Sequence, residues 1–164
     1  MNRIDRLLPA FAVQRAVAVF ASVLAIGTLA VAPLAATAAP AAVSVSDCWI
    51  RLLPGSLPSG GYFKVTNAGD QPLDLVEVDS AAYGMAMLHQ TQSQGSTSTM
   101  VMVDKAPVPA HGTLTFAPGG YHLMLEEPKS KLTVGAQTPL IFSFSDGEKV
   151  TASCAVKSAA ATGQ

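Results

Sequence analysis

The sequence is short of charge and short of thiols. Only 13% of its 164 residues are charged, and the 10 Lys and Arg do not outnumber the 11 Asp and Glu. Without a basic surplus, nothing is left to hold a nucleic-acid backbone or an anionic membrane surface by charge. The two cysteines, Cys48 and Cys154, lie far apart and form no Cys-x-x-Cys, which excludes a local redox motif. Serines are many, but none sits in a nucleophile-elbow motif, so a hydrolytic triad has no foothold. There is also no internal repeat, no low-complexity linker and no convincing helical periodicity after the first forty residues.

Charge is missing altogether from residues 16–46. Ahead of that stretch stand Arg3, Arg6 and Arg15 against a single acid, Asp5, and within it residues 16–32 are almost wholly apolar. Ala36-Thr37-Ala38 then supplies a small-x-small site. This three-part layout predicts a secretory signal peptide over residues 1–38, cleaved near Ala38. The alternative is an uncleaved anchor, because the apolar run approaches spanning length. No twin-arginine pair precedes the run, so general secretion is the expected route. Cleavage leaves about 126 residues, one domain's worth, with a net charge near −3. The expected location is the periplasm, with no stable membrane association after cleavage and no nucleic-acid partner.

The rest reads as short strands punctuated by Gly and Pro. Candidate strands cover residues 43–52, 62–66, 73–78, 85–90, 99–103, 113–116, 121–126, 139–145 and 149–156. The last two form the clearest hairpin, around Asp146-Gly147. A polar loop is expected at residues 91–96. Eight or nine such strands predict an all-β domain, an antiparallel β-sandwich or barrel, over residues 39–157. Residues 158–164 are small and polar, and are expected to fray.

Cys154 shares its strand phase with Val150, Ala152 and Val156, and Cys48 shares one with Ile50 and Leu52. Both point at apolar surroundings near the two ends of the domain. If the first and last strands are neighbours, an exported protein can pair them; the alternative is two buried thiols that merely pack.

What the chain does have is a concentration of soft donors. All three histidines, His89, His111 and His122, and every methionine except the initiator lie between residues 85 and 124. These methionines are Met85, Met87, Met100, Met102 and Met124. After the turn at Gly119-Gly120, an alternating run places His122 and Met124 two residues apart. In a strand both face the same way about 6.5–7 Å apart, close enough for an imidazole and a thioether to converge on one ion. The plain alternative is a half-buried strand with Met124 in the core.

His89, Met100, His122 and Met124 follow the spacing H-x10-M-x21-H-x-M. That spacing resembles the PCuAC family of periplasmic copper chaperones. Trp49-Ile50-Arg51, Gly61-Tyr62, Asn67, residues 110–114 and residues 118–125 also look like family text. The resemblance implies a cupredoxin-like β-sandwich whose His2Met2 site binds Cu(I). It also implies a carrier that passes copper to a periplasmic partner, such as a cytochrome c oxidase-type acceptor, with no catalysis of its own. Donor chemistry agrees: neutral thioethers favour Cu(I), and imidazole suits copper generally. A blue-copper electron carrier needs a Cys ligand beside two His, and zinc prefers Cys, His or carboxylate. Met85, Met87 and Met102 share the phase of the site and are candidates to stand beside the ion, whereas His111 sits in a turn outside the pattern. The chain carries no His- and Met-rich tail of the kind that serves a second, Cu(II)-type site in some relatives. The competing functions are a copper-dependent oxidoreductase and a β-sandwich interaction module without a metal role.

Overall fold

The computed structural model describes residues 42–163. The expected signal peptide lies outside the described residues. Ten strands make up the domain: β1 (Val43–Arg51), β2 (Ser59–Asn67), β3 (Leu73–Ser80), β4 (Tyr83–Gln94), β5 (Thr97–Met102), β6 (Ala106–Val108), β7 (Gly112–Phe116), β8 (Tyr121–Pro128), β9 (Gln137–Phe144) and β10 (Lys149–Lys157). Among the described residues every regular element is a strand.

The strands join in one ladder, in the order β5-β4-β8-β7-β2-β1-β10-β9-β3-β6, with an extra pairing of β8 to β2. The ladder folds over on itself, so its two halves share a core. Phe63 on β2 stacks on Phe116 of its neighbour β7, and meets Phe142 of the distant β9 edge-on at 4.7 Å between centroids. Ile50, Val65, Leu75, Leu123, Leu125 and Leu140 fill the remaining space and are fully buried. Burial of such side chains, about 1.5–3 kcal/mol each, is the main force holding the halves together.

Three features depart from the sequence-based expectation. The sheet is not purely antiparallel: β1 runs parallel to β10, with Trp49 opposite Ala155 and Ile50 opposite Val156. The polar stretch at residues 91–96 is not a loop. β4 continues through Gln94 and turns back within Gly95 and Ser96, because Ser93 pairs with Ser98 and Gln94 with Thr97. A tenth short strand, β6, pairs with β3 through Leu73 and Val108. Polar residues are at home in an exposed hairpin whose backbone bonds are satisfied by its partner, so polarity alone did not mark a loop here.

The parallel pairing of β1 with β10 brings the cysteines together. Cys48 lies within a register shift in β1 between Ser46 and Trp49, and it is bonded to Cys154 with the Cα atoms 4.4 Å apart. Cys154 is fully buried against the apolar core. The bond closes a separation of 106 residues and ties together the two ends of the domain. At the end of the chain, Thr162 and Gly163 share a cavity wall with Trp49 and Phe116.

Candidate metal centre

The site is assembled on β4, β5 and β8, at one edge of the ladder. β8 is launched by the turn at Pro118-Gly119-Gly120. Gly119 adopts φ +83°, which a side chain rarely tolerates, and Ala117 N donates to Tyr121 O at 2.8 Å to close the turn. Beyond it Leu123 and Leu125 point into the core, so the strand's period of two sends His122 and Met124 to the opposite face. On β4, Leu88 is inward and His89 outward by the same alternation.

Register then decides which donors meet. His89 stands directly opposite His122, and Met87 opposite Met124. On the other side of β4, His89 stands opposite Met102, and Thr91 opposite Met100. Two imidazoles therefore occupy the middle of a three-strand face, with thioethers on both sides. Their ring centroids are 5.8 Å apart and the planes differ by 27°. That separation lets one ion sit between ring nitrogens.

The imidazoles are held differently. His122 Nδ1 lies 3.0 Å from Gly120 O. A carbonyl only accepts, so Nδ1 carries the hydrogen and Nε2 is left as a bare donor atom. The same carbonyl also accepts from Thr91 N at 3.1 Å, which pins the turn to β4. His89 Nδ1 is buried and has no hydrogen-bond partner among the described residues. An orphaned buried nitrogen costs about 1–3 kcal/mol, and a bound ion would relieve it. The two histidines are only 9% and 8% exposed, whereas Met100 and Met102 are 62% and 60% exposed. The site thus has a sheltered nitrogen pair and an open sulfur rim.

A cavity of about 290 Å³ adjoins it, lined in part by Arg51, Tyr62, Pro118, Met100, His122 and Met124. Gly60 pairs with Met124 and lets β2 carry Tyr62 across it: a Cβ at Gly60 would lie 2.6 Å from Tyr62 Oη. The Arg51 guanidinium donates to Tyr62 Oη and sits 5.2 Å from the ring centroid, while Trp49 packs on Tyr62 at 4.4 Å. Burial pushes the Tyr62 phenol up from its ordinary value, and the charge and hydrogen bond of Arg51 pull partly against that. The phenol stays neutral, so Arg51 adds a positive charge to the wall.

All four motif residues therefore lie on one face of adjoining strands. Of the further candidates, Met87 and Met102 each stand directly opposite a motif residue, and Met85 lies one step out, opposite Glu126. His111 does not join them: its Nε2 pairs with Asp70 Oδ1 at 2.9 Å in an exposed turn ahead of β7. Tyr121 packs against the core and Phe116. Arg51, Tyr62 and Thr91 were not singled out as site residues from the sequence. The alternation of Gly60 with Tyr62 was visible, but nothing local says that β2 pairs with β8. Among the described residues no three His, Cys, Asp or Glu side chains come together, so a hard-ion or zinc cage is not what this face builds.

Fold and donor set together define a class: a cupredoxin-like, all-β domain of the PCuAC type. The chain belongs to the LpqE-like family, whose model matches residues 43–156. It is 32% identical over 116 residues to Lxx21020 of Leifsonia xyli subsp. xyli, a protein named as a lipoprotein, covering 70% of this chain and 69% of that one. Among solved structures it is similar to the apo PCuAC domain of PmoF2, with a TM-score of 0.64, 25% identity, and coverage of 75% of this chain and 95% of that one. It is also similar to the Cu(I) form of DR1885 from Deinococcus radiodurans, with a TM-score of 0.59, 31% identity, and coverage of 74% and 81%.

Proposed function

We propose that this protein is an exported copper carrier that binds Cu(I) through His89, Met100, His122 and Met124 and hands it to a copper-accepting protein. The observation that carries the reading is the register that sets His89 against His122 with thioethers on either side. Likeness to the Cu(I) form of DR1885 and to a copper-bound PCuAC domain of PmoF2 supports the choice of metal.

Charge supports the oxidation state. The four donors are neutral, and the charged group in the adjoining cavity wall is the Arg51 guanidinium. A monovalent ion meets less repulsion there than a divalent one, and thioethers favour soft Cu(I) over Cu(II) and Zn(II). No thiolate takes part, since both cysteines are in the disulfide. The resulting hold is weaker than a thiolate site and suits a protein that must release its cargo.

Residues 1–38 read as a cleaved signal peptide, and a disulfide fits an oxidising compartment. We place the protein in the periplasm. Assembly of a cytochrome c oxidase-type enzyme is the kind of destination this carrier serves, and it performs no turnover itself.

Anaerobic titration with Cu(I) against a chromophoric chelator tests the reading. One tight site with two nitrogen and two sulfur ligands by X-ray absorption, and no oxidase or oxygenase activity in the loaded protein, is the expected result. Absence of a tight Cu(I) site would return the domain to a plain interaction module.

A further inference from the structure

Two thioethers, rather than one, stand on the edge strand beside the imidazole pair. Met100 and Met102 are two residues apart on β5 and share a face, about 6.5–7 Å from each other along the strand. Met102 is directly opposite His89, whereas Met100 is opposite Thr91 and diagonal to His89. Directly opposed residues have Cβ atoms about 4.5–5.5 Å apart, and diagonal ones about 7–8 Å. Backbone placement therefore brings Met102 at least as near to His89 as Met100, while Met100 lines the cavity with His122 and Met124. Both side chains are largely exposed, so neither is held by core packing, and each has three rotatable bonds with which to swing. β5 is the last strand at this edge of the ladder, the side from which another protein can approach the rim.

We propose that Met102 is an exchange ligand of the copper site, taking the place of Met100 on Cu(I) as the ion moves towards an acceptor at the sheet edge. This rests on the carrier reading above. The step is a ligand substitution: the Cu–S bond to Met102 forms as the Cu–S bond to Met100 breaks. Copper stays Cu(I), no proton moves and the number of ligands is conserved. A carrier with a single thioether on this side must shed a ligand before the acceptor supplies one. A second thioether on the same face keeps the ion coordinated throughout, and so lowers the barrier to release without deepening the resting site.

The variants M100L, M102L and M100L/M102L test this, because leucine keeps the apolar bulk at positions the fold leaves exposed. Three readouts are taken anaerobically: Cu(I) affinity by competition with bicinchoninate, sulfur count by copper K-edge absorption, and the rate of Cu(I) transfer to excess bicinchoninate. M102L should keep a two-sulfur site with the affinity of the wild type and transfer Cu(I) more slowly than the wild type. M100L should still show two sulfurs, because Met102 takes over. The double variant should show one sulfur and bind about tenfold more weakly than M100L. Wild-type transfer in M102L, or a single sulfur in M100L with the affinity of the double variant, overturns the exchange role. A wild-type protein without a two-nitrogen, two-sulfur Cu(I) site fails separately, and removes the carrier reading with it.

Discussion

His89 and His122 lie directly opposite each other on antiparallel β4 and β8, with ring centroids 5.8 Å apart. Thirty-two residues of chain separate them, and the ladder removes that distance. Their nitrogens are the sheltered half of the donor set, while Met124 is half-buried and Met100 is open to solvent. On the proposed reading, the imidazoles would hold the ion in place and the thioethers at the rim would set access and release.

Ligand loss should separate from loss of fold. His122→Ala or Met124→Ala should weaken Cu(I) binding by at least the roughly 10–100-fold that loss of an outer-shell partner costs, since a direct ligand is removed. Both side chains point away from the face that carries Leu123 and Leu125, so the apo variants should melt within a few degrees of wild type. Chelator competition and thermal denaturation read the two effects. An apo variant that no longer folds would count against the assignment.

Acid should release the metal. Ligation needs a neutral imidazole with a bare nitrogen, and protonating His89 or His122 removes that lone pair. Cu(I) affinity measured anaerobically should therefore fall as pH drops, and should do so more steeply than in a variant retaining only one histidine. Equal slopes would mean that the imidazoles do not bind the ion.

The disulfide should carry a large share of the stability. Closing a loop of this length is worth about 4–5 kcal/mol in the chain-entropy model, and commonly less when measured. Exported protein should show no alkylatable thiol after denaturation, and reduction should lower its Tm by many degrees. Two free thiols in periplasmic material would sink this.

Tyr62 should make the fold sensitive to alkali. Burial raises its phenol above the ordinary value of 10.0, with Arg51 opposing part of the rise. An acid whose folded pKa lies above its unfolded one adds stability that is fully present below the unfolded value. That stability is lost as pH climbs through the folded one. Stability should thus fall above about pH 10, and Tyr62→Phe should flatten that fall. Urea denaturation at a series of alkaline pH values measures it, and an unchanged slope in the variant would assign the alkaline loss to other groups.

Much of this protein was legible from one dimension. Strand phase depends only on the period of two, so the alternation Tyr121-His122-Leu123-Met124-Leu125 already said that His122 and Met124 share a face opposite two leucines. Gly119 and Gly147, at φ +83° and +89°, marked turns because few other residues tolerate those backbone angles. Softness of the donors is a property of the side chains, so the preference for Cu(I) over harder ions could be argued before any fold was known. Pairing is different, because a strand's sequence states which face it buries but not which strand lies beside it. That His89 meets both His122 and Met102, that β1 runs parallel to β10 so that Cys48 reaches Cys154, and that Gly60 and Tyr62 come up beside Met124 all follow from register. Register is set by how the whole ladder closes over its core, a sum of many small long-range contacts that no short stretch of chain contains.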